Sequence, residues 1–369
     1  MGPEPRDRLL AEVHRLLLAG VTGQAFPGAA ACVSYRDAGG REQVVVACAG
    51  TLAKGEPAVQ PQTRYDLGRM TECFVSVAAL RMAARGALDL DAPAESVLAD
   101  LRGAGLGDTS LRALLWHRGD LAAWGGLYLD VPHELGSIAA RRWLINEAAR
   151  RKSERPPGRV ERSDLGYIIV GEALARAADA TLDGVVAREV LAPLGIEGEV
   201  CFAGGLSVEE RAAFVRQVAP TERCEWRGRL VRGEVHDENA AALGGVAGHA
   251  GLFGSARCVA LLGRALLDAL ARRRDFLPAR VIDGALTAGD EHVRPGWERK
   301  HGPKPACGRR MGPKSFGQLA ITGTSIWCDP ERDVVVVLLT NRICPSRANE
   351  RIDGFRPAFH DGVLAMLGA

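Results

Sequence analysis

The sequence predicts a mixed α/β chain of the α+β kind: one sheet assembled from both ends of the chain, with a mostly helical segment inserted between them. Two observations carry this prediction. Apolar, β-branched runs lie near both termini, at 29–49 and 321–340, whereas 111–194 shows helical spacing and no convincing period of two. The expected boundaries are 1–90 and 240–369 for the sheet domain and 91–239 for the helical one. The length agrees, because single cores seldom grow past about 250–300 residues and this chain has 369.

Each element has its own signal. In Met1–Gly20 the polar Glu12, His14 and Arg15 interrupt the apolar residues, so the stretch reads as an amphipathic helix and not a signal peptide. Ala29–Tyr35 and Gln43–Ala49 are strands joined by turn residues Asp37–Gly40. Thr71–Gly86 spaces Phe74, Val77, Ala78, Leu80 and Met82 as a helix and ends on a glycine suited to a C-cap. The helical middle is broken at Pro132 and at Arg155–Gly158. Gly302–Lys314, rich in Gly, Pro and Arg, reads as an irregular solvated loop. Ile321–Cys328 and Val334–Thr340 are strands around the turn Asp329–Asp333, whose Asp329 and Glu331 are expected to be solvated. A last helix covers Asn349–Leu367.

Composition narrows the function classes. With 47 % hydrophobic and 25 % charged residues, 44 Gly and 19 Pro, the chain is neither fibrous nor disordered. The 47 basic residues nearly balance 45 acidic ones, for a net charge of +2, so no long-range field favours nucleic acid or an anionic membrane as partner. No run of about 18 apolar residues suggests a spanning helix, and Arg6 stands where an N-myristoylation signal needs Ser or Thr. The nine cysteines are scattered without a CxxC pair, which fits reduced thiols and a cytoplasmic protein. Lysines number only five, so basic catalytic amines are scarce.

The stretch Thr63–Pro93 (TRYDLGRMTECFVSVAALRMAARGALDLDAP) resembles the nucleophile region of the serine β-lactamase and penicillin-binding-protein family, in particular class C enzymes and related esterases. The resemblance continues in LRALLWHRGDL (Leu111–Leu121), SDLGYIIVGEAL (Ser163–Leu174), VHDENAAALGGVAGHAGLF (Val235–Phe253) and ITGTSIWCDPERDVVVVLLTNR (Ile321–Arg342). It implies a β-lactamase/transpeptidase-like fold: a five-stranded antiparallel sheet flanked by helices, an inserted all-α domain, and a cleft between the two.

The family's chemistry rests on three motifs, and all three are altered. A Ser-x-x-Lys at a helix start puts an acyl acceptor and its activating amine on one helix face. Here the register places Arg69 and Glu72 at those positions. A guanidinium is never deprotonated in proteins, and a carboxylate in place of an amine reverses the charge. The second motif, Tyr-x-Asn, becomes Arg162 and Asp164. The third, a Lys- or His-Thr-Gly on a strand lining the opposite wall, becomes Gln318, Leu319 and Ala320. No serine in the chain has Lys three residues later, and no Gly-x-Ser-x-Gly occurs. Arg69, Glu72, Arg162 and Asp164 are therefore expected to converge as a salt-bridged plug, because a lone buried charge costs several kcal/mol; the competing reading is drift to unpaired, solvated residues.

Other candidates are weaker. Cys73 could serve as a substitute nucleophile with His117 or His249 as base, yet adjacent helix positions point about 100° apart, so Cys73 should face the core. His236, Asp237, Glu238 and His249 could ligate a metal, but the resemblance favours a structural loop, and neither metal nor other cofactor is expected. Trp124, Tyr128 and His117 are candidates for lining the cleft or touching a ligand, with core or framework packing as the alternative. The expected function is that of a catalytically inactive family member, a binding, scaffolding or regulatory protein whose partner is another protein, a second copy, or a small ligand in the cleft. The alternative is an active hydrolase of β-lactamase, esterase or peptidase type using Cys73 or an unforeseen serine.

Overall fold

The computed structural model describes residues 4–289 and 291–368. Helix α1 (Pro5–Thr22) opens with a proline in its first turn, where a missing N–H is no loss, and buries Leu9, Val13 and Leu17 along one stripe. Residues 1–3 of the expected N-terminal helix lie outside the described residues. Strands β1 (Gly28–Arg36) and β2 (Glu42–Gly50) form the expected hairpin. Helices α2 (Thr71–Ala84), α3 (Ile138–Arg150), α4 (Asp164–Ala177) and α5 (Ala256–Leu270) follow. The chain then returns to the sheet through β3 (Val293–Arg294), β4 (Trp297–Arg299), β5 (Phe316–Leu319), β6 (Ser325–Asp329) and β7 (Val334–Thr340), and closes with α6 (Ile352–Met366).

The sheet is antiparallel throughout and runs in the order β2-β1-β7-β6-β5-β4-β3. First and last parts of the chain pair directly within it, with Ala29 opposite Thr340 and Cys32 opposite Val337. Both faces of β1 and β7 are covered, which explains their unbroken apolar runs. Ala29, Ala31, Val33, Val334, Val336 and Leu338 join Leu9, Leu17, Phe359 and Val363 of the terminal helices in one cluster. The alternate residues Ala30, Cys32, Val335, Val337 and Leu339 join Val77 of α2 and Leu266 of α5 in another, which extends without a break into Leu144, Leu165 and Ile169 of the helical middle.

Three expectations change. The sheet has seven strands instead of five, because the two short strands β3 and β4 add a hairpin at its edge. The strand read over Ile321–Cys328 is divided: β5 lies upstream at Phe316–Leu319, Ala320–Thr324 form a turn, and the strand resumes at Ser325. The turn tightens through Gly323 N–H donating to the Ala320 carbonyl at 3.1 Å. Asp329 is buried, not solvated; its carboxylate accepts from Gly312 N–H at 2.7 Å and from the Glu331 and Arg332 amides, fastening the irregular Gly302–Lys314 loop to the sheet.

Candidate functional site

The head of α2 is built by a short turn, Gly68–Met70, that precedes Thr71. Gly68 has φ +50°, and a Cβ there would come within 2.9 Å of Ala320 Cβ, so glycine lets this turn press against the β5–β6 turn. Asp66 holds the turn from beneath: its buried carboxylate accepts from Gly68 N–H at 2.7 Å and from His236 N–H at 2.6 Å. These contacts bring Arg69, the start of α4, the β5–β6 turn and the 236–250 loop around one polar cavity of about 560 Å³.

Two ion pairs cross this region. Arg69 Nη2 lies 2.6 Å from Asp164 Oδ1, and Arg162 Nη1 lies 2.7 Å from Glu298 Oε2. Arg162 also donates through Nη2 to Gln318 Oε1 at 2.6 Å, and Gln318 Nε2 donates to the Gly296 carbonyl at 3.1 Å. Arg69 is held protonated: burial works against its charge, but the Asp164 carboxylate paired with it outweighs that cost. The Arg69–Asp164 half of the expected plug is therefore present. Arg162 instead pairs with Glu298 on β4, a residue that sequence reading did not single out.

Glu72 departs furthest from expectation. Its side chain is fully buried, with Arg69 Nε at 3.9 Å and His117 Nε2 at 3.8 Å, and neither carboxyl oxygen has a hydrogen-bond partner among the described residues. Burial raises its pKa to about 8 against the opposing pull of Arg69, so Glu72 is chiefly neutral at pH 7. His117 is buried behind the cleft and does not line it. Ser163 N–H donates to His117 Nδ1 at 3.1 Å, which assigns the ring proton to Nε2, the nitrogen facing Glu72. Burial, then Arg162 and Arg69, hold this imidazole well below its ordinary pKa, hence neutral. Arg69, Arg162 and Asp164 thus stand at the wall of the cleft with the neutral Glu72 behind them, and the cleft stays open beside them.

The remaining candidates sort by position. Trp124, Leu319 and Ala320 line the cavity, and Trp124 is 49 % exposed. Tyr128 stands apart from it, ring to ring with Trp226 at 4.8 Å. Cys73 points into the core: it is fully buried, its Sγ–H reaches the Gly296 carbonyl at 3.1 Å, and burial pushes its thiol far above the ordinary range. His236, Asp237, Glu238 and His249 do line the cleft. Asp237 caps the helix Glu238–Ala242 and bonds His249 Nε2 at 2.8 Å; burial would raise its pKa, but the His249 pairing holds it at about 2. Glu222, Cys224 and Glu238 bring ligand atoms within 4.8 Å of one another. Arg347 already occupies that corner, donating through Nε to Glu222 at 2.9 Å and through Nη2 to Glu238 at 2.7 Å, so a metal ion would have to displace a guanidinium.

Residues 13–353 match the family model described as Beta-lactamase, so the chain belongs to the Beta-lactamase family. Its fold is shared with EstCE1, a hydrolase with promiscuous acyltransferase activity (TM-score 0.71, 18 % identity, 97 % of this chain and 99 % of that one). The class C β-lactamase of Rhodobacter sphaeroides is similar to it as well (TM-score 0.67, 19 % identity, 97 % and 99 %). Among curated relatives, the N-acetylmuramyl-L-alanine amidase of Bacillus subtilis (strain 168) is 28 % identical over 198 residues, 49 % of this chain and 44 % of the relative. A putative D-alanyl-D-alanine carboxypeptidase of Salmonella agona (strain SL483) is 26 % identical over 212 residues, 52 % and 47 %. The match spans just under half the length of each of these relatives.

Proposed function

We propose that this protein is a non-hydrolytic member of its family, a cytoplasmic binding or regulatory protein whose cleft holds a ligand or a segment of another protein without turning it over. The observation that carries the reading is Arg69, a guanidinium tied to Asp164 at 2.6 Å where acyl transfer needs a free hydroxyl. Among the described residues that line the cavity, Thr322 offers the one hydroxyl and none offers a thiol. Thr322 Oγ1 lies 3.4 Å from Thr324 Oγ1, a second hydroxyl and not a base. Loss of nucleophile and base together typically lowers turnover by ~10⁶-fold in serine hydrolases. Nine unpaired cysteines, most of them buried, support a reducing compartment.

The similarity to an amidase, a putative carboxypeptidase and a hydrolase supports the competing reading, an active hydrolase. Incubation of the full chain with nitrocefin and p-nitrophenyl acetate separates the two. The expected rate equals that of heat-denatured protein; turnover abolished by a single substitution would overturn the proposal.

A further inference from the structure

Independently of what the cleft turns over, we infer that Glu222, Cys224, His236 and Glu238 form a site for a thiophilic divalent cation, zinc by its donor set, and that the Arg347 guanidinium competes with the ion for it. Glu222 and Cys224 lie two residues apart on an extended segment, where side chains share a face. Arg223–Cys224 pairs with Arg229–Leu230, and Val231 N–H donates to the Glu222 carbonyl at 2.9 Å. Glu238 opens the helix Glu238–Ala242, and His236 is tethered through its N–H to Asp66. The two segments bring a thiol and two carboxylates, all from buried residues, within 4.8 Å of one another. His236 Nε2 stands 3.0 Å from Glu222 Oε1. Cys224 is 2 % exposed, and its Sγ has no hydrogen-bond partner among the described residues. This orphaned thiol, aimed at two carboxylates, is what points to an ion.

Arg347 marks the centre of the donors. Its Nη2 donates to Glu222 Oε1 and, at 2.7 Å, to Glu238 Oε1, and lies 3.4 Å from His236 Nε2. It is the one guanidinium bonded to either carboxylate among the described residues. Its side chain is 45 % exposed and leaves from the exposed stretch 345–348, so it can swing into water, whereas the four donors are buried. Zinc binding exchanges that guanidinium and the Cys224 thiol proton, which passes to solvent, for one doubly charged ion, and the net charge of the site does not change. Sulfur and imidazole beside carboxylates select zinc over magnesium or calcium, which take oxygen. Four protein donors complete a tetrahedral shell and leave no open position for a reacting water. Since His236, Glu238 and Arg347 line the cavity, the ion instead sets the shape and charge of the cleft wall.

Titration of the full chain, stripped of metal with a chelator, with Co²⁺ and with Zn²⁺ tests the inference. Co²⁺ is expected to saturate at a single equivalent with a near-ultraviolet thiolate-to-cobalt charge-transfer band, which Zn²⁺ bleaches and Cys224→Ser abolishes. Arg347→Ala, which removes the competing cation, is expected to bind Zn²⁺ tighter by about tenfold or more in calorimetry, and Zn²⁺ should raise its thermal midpoint further than that of the wild type. An arginine that merely ties two loops together would not hold the ion off in this way. No band up to about 1 mM Co²⁺, a band that survives in folded Cys224→Ser, or a Zn²⁺ affinity that Arg347→Ala leaves equal or lowers would overturn the inference. Should Cys224→Ser not fold, the affinity of Arg347→Ala decides alone.

Discussion

Glu72 is the residue at which chemistry and stability meet. The folded state keeps a proton that the unfolded chain releases near the ordinary value of 4.5, because burial raises the native pKa to about 8. This raised group stabilises the fold fully below the ordinary range, and that contribution is lost as pH climbs toward 8. Glu72→Gln, with no proton to lose, should gain on the wild type across this window by up to about 1.4 kcal/mol per pH unit. Thermal melts at pH 5 and pH 8 check it; a difference between the two proteins that does not grow with pH would contradict the assignment. Arg162 and Glu298 give a second test. Glu298→Ala leaves Arg162 with only Gln318 and should cost about 2–4 kcal/mol, with most of the loss appearing as coupling in a double-substitution cycle with Arg162→Ala. Arg69, Glu72, Arg162 and Asp164 were all legible in the sequence by register. Their partners were not, because ion pairing depends on three-dimensional approach: Glu298 is 136 residues from Arg162 along the chain.

The β3–β4 hairpin is the element that delivers Glu298, and Gly296 sets its position. This residue has φ +75°, and a Cβ would stand 2.3 Å from the Glu72 carbonyl oxygen. Gly296→Ala should therefore push the hairpin off α2 and lower stability by more than about 1 kcal/mol, since both conformation and space forbid the side chain. A thermal midpoint equal to that of the wild type would show that the hairpin does not bear on the site. The hairpin escaped sequence reading because its two strands are only two and three residues long, too short for a period of two to register. The long elements fared better. β1, β2, β7, α2 and the terminal helices were placed within a few residues, since each buries a continuous stripe or face. The strand expected from Ile321 was misplaced because the isoleucine, apolar and β-branched, sits 51 % exposed in a turn at the cleft mouth.

Across the whole molecule, one hydrophobic cluster joins the sheet to the helical middle, running from Val335 and Val337 through Phe74 and Val77 to Leu165 and Ile169. The two expected parts therefore share a core, and unfolding in denaturant should follow a single transition by both fluorescence and circular dichroism. Two separated transitions would show that they fold independently. The fold class was readable because the alternation of β-rich ends and a helical middle is a property of the entire sequence. The open cleft was not, since residue types alone do not say whether opposite charges fill a space or stand at its walls. The most direct test of the account is intact-protein mass spectrometry after incubation with a fluorophosphonate and with benzylpenicillin. The account predicts an unchanged mass with both reagents; a stoichiometric adduct, removed by one substitution among the cleft residues, would contradict it.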